Sequence, residues 1–225
     1  MRFPTRRHAL TSFLQQPRRL PSPLLQAAAT ALIATATLPG IASAQASTTL
    51  PAAIAKQLPK GMQVLAAEKA GDLDGDGKTD YLVILAQPRE GDYRRTEKPA
   101  PARPLLVFLG QADGGYRLQG RNDEVVFRAD QGGQCDPITD NDAPFATKGR
   151  YFTVQNGVSC GSHWTDYITF RYDAKQRDFV FSSRISESWR LNDKPKGEAL
   201  VSEGRNVERG DPKDPITFAN YKIIP

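Results

Sequence analysis

The sequence predicts a mainly β, antiparallel protein, a single domain with one short N-terminal helix. Three observations lead there. Short apolar runs follow one another between turn-forming residues. Several runs alternate in polarity, as where Tyr167, Thr169 and Arg171 stand opposite Ile168, Phe170 and Tyr172. Turn signals separate them, including Asn156-Gly157, a type I′ hairpin dipeptide, and Asp173-Ala174-Lys175-Gln176.

Residues 1–44 carry Arg2, Arg6, Arg7, Arg18 and Arg19 and no acid. An apolar stretch follows over 24–38, then the breaker Pro39-Gly40 and the small-residue cleavage pattern Ala42-Ser43-Ala44. This reads as a signal peptide removed near Ala44, since the stretch is shorter than the roughly 20 residues that span a bilayer. The arginine pairs leave a twin-arginine export route open. The whole chain has 30 basic and 25 acidic residues. Losing the leader's five arginines leaves residues 45–225 neutral, so the pI of about 9.2 belongs to the leader. Neutrality removes the electrostatic case for a nucleic-acid or anionic-membrane partner. The expected product is a soluble periplasmic or secreted domain over 45–225.

Ser47-Thr48-Thr49 and Pro51 start a helix that runs to Leu58 and stops at Pro59-Lys60-Gly61. Strands are expected over 62–67, 80–86, 105–109, 115–119, 124–128, 151–155, 158–160, 165–172 and 178–185. Residues 89–104 hold three prolines among many charges and read as an exposed insertion loop. Residues 192–215, polar with three glycines, read as loop with at most a short strand near 199–201. Cys135 and Cys160 are the only cysteines. An oxidising compartment favours a disulfide between them. The rival reading, zinc on Cys135, Cys160 and His163, needs a fourth ligand and reduced thiols.

The chemistry-bearing motif is Gly71-Asp72-Leu73-Asp74-Gly75-Asp76-Gly77-Lys78-Thr79-Asp80. Oxygen ligands from Asp72, Asp74, Asp76 and Asp80, with the Lys78 carbonyl, would wrap a hard cation, and Gly77 permits the sharp turn. Carboxylates so crowded repel one another without a counter-ion. Position 12 of an EF-hand would need a glutamate, but Val83 stands there, and 80–86 continue into a strand. The bland alternative is a solvated acidic turn.

This loop, followed by an apolar strand, resembles the calcium loop of FG-GAP/VCBS-type repeats, the blade unit of integrin α-like propellers. Val107-Phe108-Leu109-Gly110 with Asp113-Gly114-Gly115-Tyr116 is similar to the second half of such a repeat. The resemblance covers 71–116, with 89–104 inserted. It implies Ca²⁺ held by Asp72, Asp74, Asp76, the Lys78 carbonyl and Asp80. One copy is present, whereas a propeller needs at least four blades. The expectation is therefore a small β domain with one propeller-blade-like unit.

Catalytic groups are sparse. Outside the leader His163 is the only histidine, within Ser159-Cys160-Gly161-Ser162-His163-Trp164-Thr165-Asp166. Triad members usually converge from separated elements, so adjacency argues against catalysis here. Trp164, Trp189, Tyr151 and Tyr167 could form a sugar- or peptide-binding platform or pack across strands in the core. The reading is a non-catalytic calcium-binding module that binds an envelope protein or glycan. The alternatives are a cell-envelope hydrolase and a periplasmic inhibitor or immunity-type protein.

Overall fold

The structure is a computed structural model that describes residues 49–225 apart from 142, 162, 195, 224 and 225. The expected signal peptide lies outside the described residues. One α-helix, α1 (Ala52–Ala55), precedes β1 (Gln63–Gly71), β2 (Asp80–Ala86), β3 (Leu105–Gly110) and β4 (Tyr116–Asn122). Then come β5 (Phe145–Lys148), β6 (Tyr151–Val158), β7 (His163–Asp173), β8 (Asp178–Leu191) and β9 (Leu200–Arg209). The strands form two sheets, β1-β2-β3-β4 and β5-β6-β7-β8-β9, and within each sheet consecutive strands pair antiparallel. The mainly β, antiparallel, single-domain expectation holds, and the first sheet has the strand number of one propeller blade.

Burial explains why β2 and β3 are continuous apolar runs while β7 alternates. Leu82, Ile84, Leu105 and Val107 point into a core shared with Phe152, Val154, Ile168 and Phe170 of the second sheet. Their neighbours Tyr81, Val83, Leu85, Leu106 and Phe108 point the other way, against Ile54 of α1 with Leu50, Leu58 and Met62. Strands covered on both faces lose the alternation that marks a half-solvated strand. The centre of the shared core is aromatic. Phe152 stacks on Phe170 at 5.3 Å, and Phe218 meets Phe170 edge-on at 5.1 Å. Phe218 and Tyr221 arrive from the C-terminal segment, whose carbonyls at 218 and 221 accept hydrogen bonds from Asn122 Nδ2 at 2.6 and 2.8 Å.

Several boundaries differ from expectation. Asn156-Gly157 is not a turn but lies inside β6. Asn156 is fully buried, its Oδ1 accepting from the Phe127 N–H at 2.8 Å and its Nδ2 donating to the Val125 carbonyl at 3.1 Å. Gly157 leaves room for the Trp164 carbonyl, 3.0 Å from where a Cβ would sit. The same side chains replace a ladder for 124–128, which is not a strand: the Glu124 and Val125 N–H groups donate to Asn122 Oδ1. Within 192–215 the structure places the ten-residue β9. As an exposed edge strand it carries polar residues on both faces, so no alternation announces it.

The 89–104 segment is continuously exposed over 96–99, with Arg89, Asp92 and Ala102 exposed as well, but Glu90, Ala100, Arg103 and Pro104 are buried. It contains a 3-10 turn (Glu90–Arg95), and its ends are pinned by a buried ion cluster. Arg103, 1% exposed, donates to Glu90 Oε1 at 2.7 Å and to both oxygens of Asp136 at 2.8 and 2.5 Å. Burial would raise the Asp136 carboxyl, but the Arg103 hydrogen bonds and the Ile138 N–H outweigh it and hold the group below its ordinary value. Beside it, Cys135 is joined to Cys160 with Cα atoms 6.2 Å apart. The disulfide expectation holds and the thiolate-zinc alternative falls.

Two outcomes follow. Arg103→Leu leaves two carboxylates buried without their cation, and urea unfolding should show a loss of about 3–5 kcal/mol. Replacing both cysteines by serine should cost about 3 kcal/mol in the same assay, given the 25-residue separation.

Candidate metal centre

The acidic motif is the β1–β2 connection. It begins at Gly71 (φ +77°) and ends at Asp80, the first residue of β2. Gly75 and Gly77 have φ +85° and +81°, the left-handed region, and let the loop fold back on itself. Gly75 has a second reason: the Arg150 guanidinium lies where its Cβ would be. Asp72 organises the loop, its Oδ1 accepting from the Gly75 and Asp76 N–H groups at 2.7 and 3.0 Å and its Oδ2 from Gly77 at 2.8 Å. Asp76 Oδ1 accepts from the Lys78 N–H at 2.8 Å. Leu73, fully buried, anchors the loop to the core.

Asp80 has no solvent exposure. Its Oδ2 accepts from the Leu73 N–H at 2.7 Å and its Oδ1 from the Gly110 N–H at 2.9 Å, tying the loop to the end of β3. One oxygen from each of Asp72, Asp74 and Asp80 lies within 4.8 Å of the others. Oxygens on opposite sides of a calcium ion at 2.3–2.6 Å would be about 4.6–5.2 Å apart, so the trio fits one shared hard cation. A smaller ion such as Mg²⁺ is compatible with the same donors, so the spacing does not single out calcium. Asp76, exposed, stands outside this trio.

The charges in the loop are unequal. Burial would raise Asp72, but the N–H groups of Gly77, Gly75 and Asp76 hold it below its ordinary value. Asp74 is raised by burial and by the adjacent Asp76 and Asp72 charges. Burial pushes Asp80 up to about 6, with Asp74 and Asp72 adding to it, against the two N–H bonds. A divalent cation is the group that would favour the ionised form of this buried carboxylate.

The histidine region is differently disposed. Cys160 is in the disulfide, and Asp166 is held by Arg184 at 2.7 Å. His163 pairs across strands with Trp189, its Nδ1 buried without a hydrogen-bond partner, and Ser162 lies outside the described residues. His163 and Asp166, three apart on β7, face opposite sides of the sheet. Of the four proposed platform aromatics, Trp164 packs on Phe127 at 5.5 Å and Tyr151 is 42% exposed. Sequence reasoning missed Arg150 at the loop, because no local pattern links residues 75 and 150.

No family model matches this chain, and no curated protein matches it. Among solved structures, a Xanthomonas type IV secretion system related protein is similar over 66% of this chain, at 17% identity and TM-score 0.32. This chain spans 56% of that protein's length, and a likeness this slight carries neither fold nor role. No helix among the described residues is long and apolar enough to cross a membrane.

The Asp80 shift sets a pH test. The folded carboxyl titrates near 6, above the ordinary 3.8. Between about pH 4 and 6 the unfolded chain releases this proton while the folded one keeps it, so stability is present below pH 4 and lost as pH rises. In EDTA, denaturant unfolding should show a decline of about 3 kcal/mol across that window. Millimolar Ca²⁺ should flatten it, and an equal decline in both buffers would refute cation binding at Asp80.

Proposed function

We propose that the chain is an exported, calcium-binding β-rich module that acts by binding an envelope protein or glycan, without catalysis of its own. The observation that carries this reading is the close trio of Asp72, Asp74 and Asp80 oxygens around a fully buried Asp80. The FG-GAP/VCBS-like motif supplies the choice of Ca²⁺, with Asp76 and the Lys78 carbonyl completing the shell. The leader motif and a disulfide at Cys135–Cys160 support a periplasmic or secreted setting. A cation there would lock the β1–β2 loop against β3 and stiffen the first sheet as a platform, since Asp80 already joins the two.

The rival readings are an envelope hydrolase, whose histidine-dependent form would run through His163, and an inhibitor or immunity-type protein. His163→Ala separates the first: the binding module keeps its function, whereas a hydrolase loses it at unchanged melting temperature.

Calorimetric titration of EDTA-stripped protein with Ca²⁺ is the direct check. Saturable binding in the 10⁻⁴–10⁻³ M range or tighter is expected. Asp74→Asn should abolish both the heat and the calcium-induced rise in melting temperature. Asp76→Ala should lower stability in calcium more than in EDTA. Equal losses in both would identify the loop as a solvated turn.

A further inference from the structure

A second feature lies beside the carboxylate loop, on the other side of Arg150. A groove of about 810 Å³ opens between the β5–β6 turn, the β7–β8 turn and the 210–215 segment. Its volume falls within the range of small-molecule sites. Its walls are built into the fold. Ser182 is the extra residue of a bulge in β8, where Thr169 pairs with Ser183 and Phe170 with Phe181. The Gly210 N–H donates to the Ser182 carbonyl at 2.9 Å, and the Phe181 N–H donates to the Ile216 carbonyl at 2.8 Å. Gly210 lies against the Phe181 carbonyl where a Cβ could not fit. Pro212 and Pro215 stiffen the strap between these bonds.

The groove's charges are unbalanced in use. Asp173 accepts from the Lys175 and Gln176 N–H groups at 2.9 and 3.3 Å and pairs with Arg171 at 3.3 Å. Asp211 accepts from the Lys213 N–H at 2.8 Å. Both acids are thus engaged by the chain's own donors. The side chains of Arg150 and Lys175 line the same groove and have no hydrogen-bond or ion-pair partner among the described residues. The main chains of both are bonded, the Arg150 carbonyl to the Tyr172 N–H and the Lys175 N–H to Asp173. Tyr151, next to Arg150, also lines the groove and is 42% exposed. The lining strands β6, β7 and β8 are each paired on both sides, so the groove offers no free edge for an added peptide strand. Recognition there falls to side chains: two cations without an ion-pair partner among the described residues and the exposed aromatic Tyr151.

We propose that this groove binds an acidic oligosaccharide, a sugar ring resting on Tyr151 while Arg150 and Lys175 take its anionic group. This deepens the reading of the protein as a binding module and names the class of its ligand. The test is calorimetric titration of the purified protein, in EDTA throughout, with trigalacturonate, maltotriose and inorganic phosphate. EDTA keeps the carboxylate loop, against which Arg150 also lies, free of cation in every titration, so failure of calcium binding and failure of the groove are read separately. Saturable trigalacturonate binding is expected, with Lys175→Ala and Tyr151→Ala each weakening it about tenfold at unchanged melting temperature. Arg150→Lys should lose less, since it keeps the charge. No binding, equal binding of maltotriose, equal binding of phosphate alone, or full affinity in both alanine variants would overturn the proposal.

Discussion

Covering β2 and β3 on both faces is the constraint on which the rest of the molecule depends. It makes the two strands apolar from end to end, and it places the first residue of β2 in a desolvated position. A carboxylate there, Asp80, must find donors, and the backbone N–H groups of Leu73 and Gly110 provide them. Those bonds draw the acidic loop inward, so that exposed-looking aspartates gather around a buried one. Core packing and site geometry are one arrangement, seen from inside and from the surface.

Much of this was legible in the residues. The β2 run was bounded at Asp80–Ala86 as the structure has it, because a strand buried on both faces is announced by an unbroken apolar sequence. The aspartate spacing marked the loop, and a single pair of cysteines behind an export-like leader pointed to the disulfide. What could not be read has a common physical cause. The Asn156-Gly157 dipeptide favours a turn, yet long-range hydrogen bonds to 125 and 127 hold Asn156 in a strand. β9 escaped notice because an exposed edge needs no hydrophobic face. Arg103, in a charged and proline-rich stretch, gave no local sign that Asp136 would bury it.

That last interaction reshapes how the insertion should be viewed. Glu90, Arg103 and Asp136 form a desolvated cluster, which is a poor source of net stability but a strict chooser of partners. Wrong registers of the insertion would strand a charge in the interior. Asp136 follows Cys135 directly, so the covalent tie to Cys160 and the ionic tie to Arg103 act on the same short stretch. The two fix where the exposed middle of the insertion emerges.

The central aromatic cluster imposes an order of assembly. Phe218 and Tyr221 occupy its middle, although most of the strands they touch come far earlier in the chain. Until the final stretch is delivered, Phe152 and Phe170 have a vacant seat between the two sheets, and Asn122 has no carbonyls to bind. Such distant pairings carry a large loop-closure cost and make folding slow. Closure of the core between the two sheets therefore waits on the segment that carries Phe218 and Tyr221.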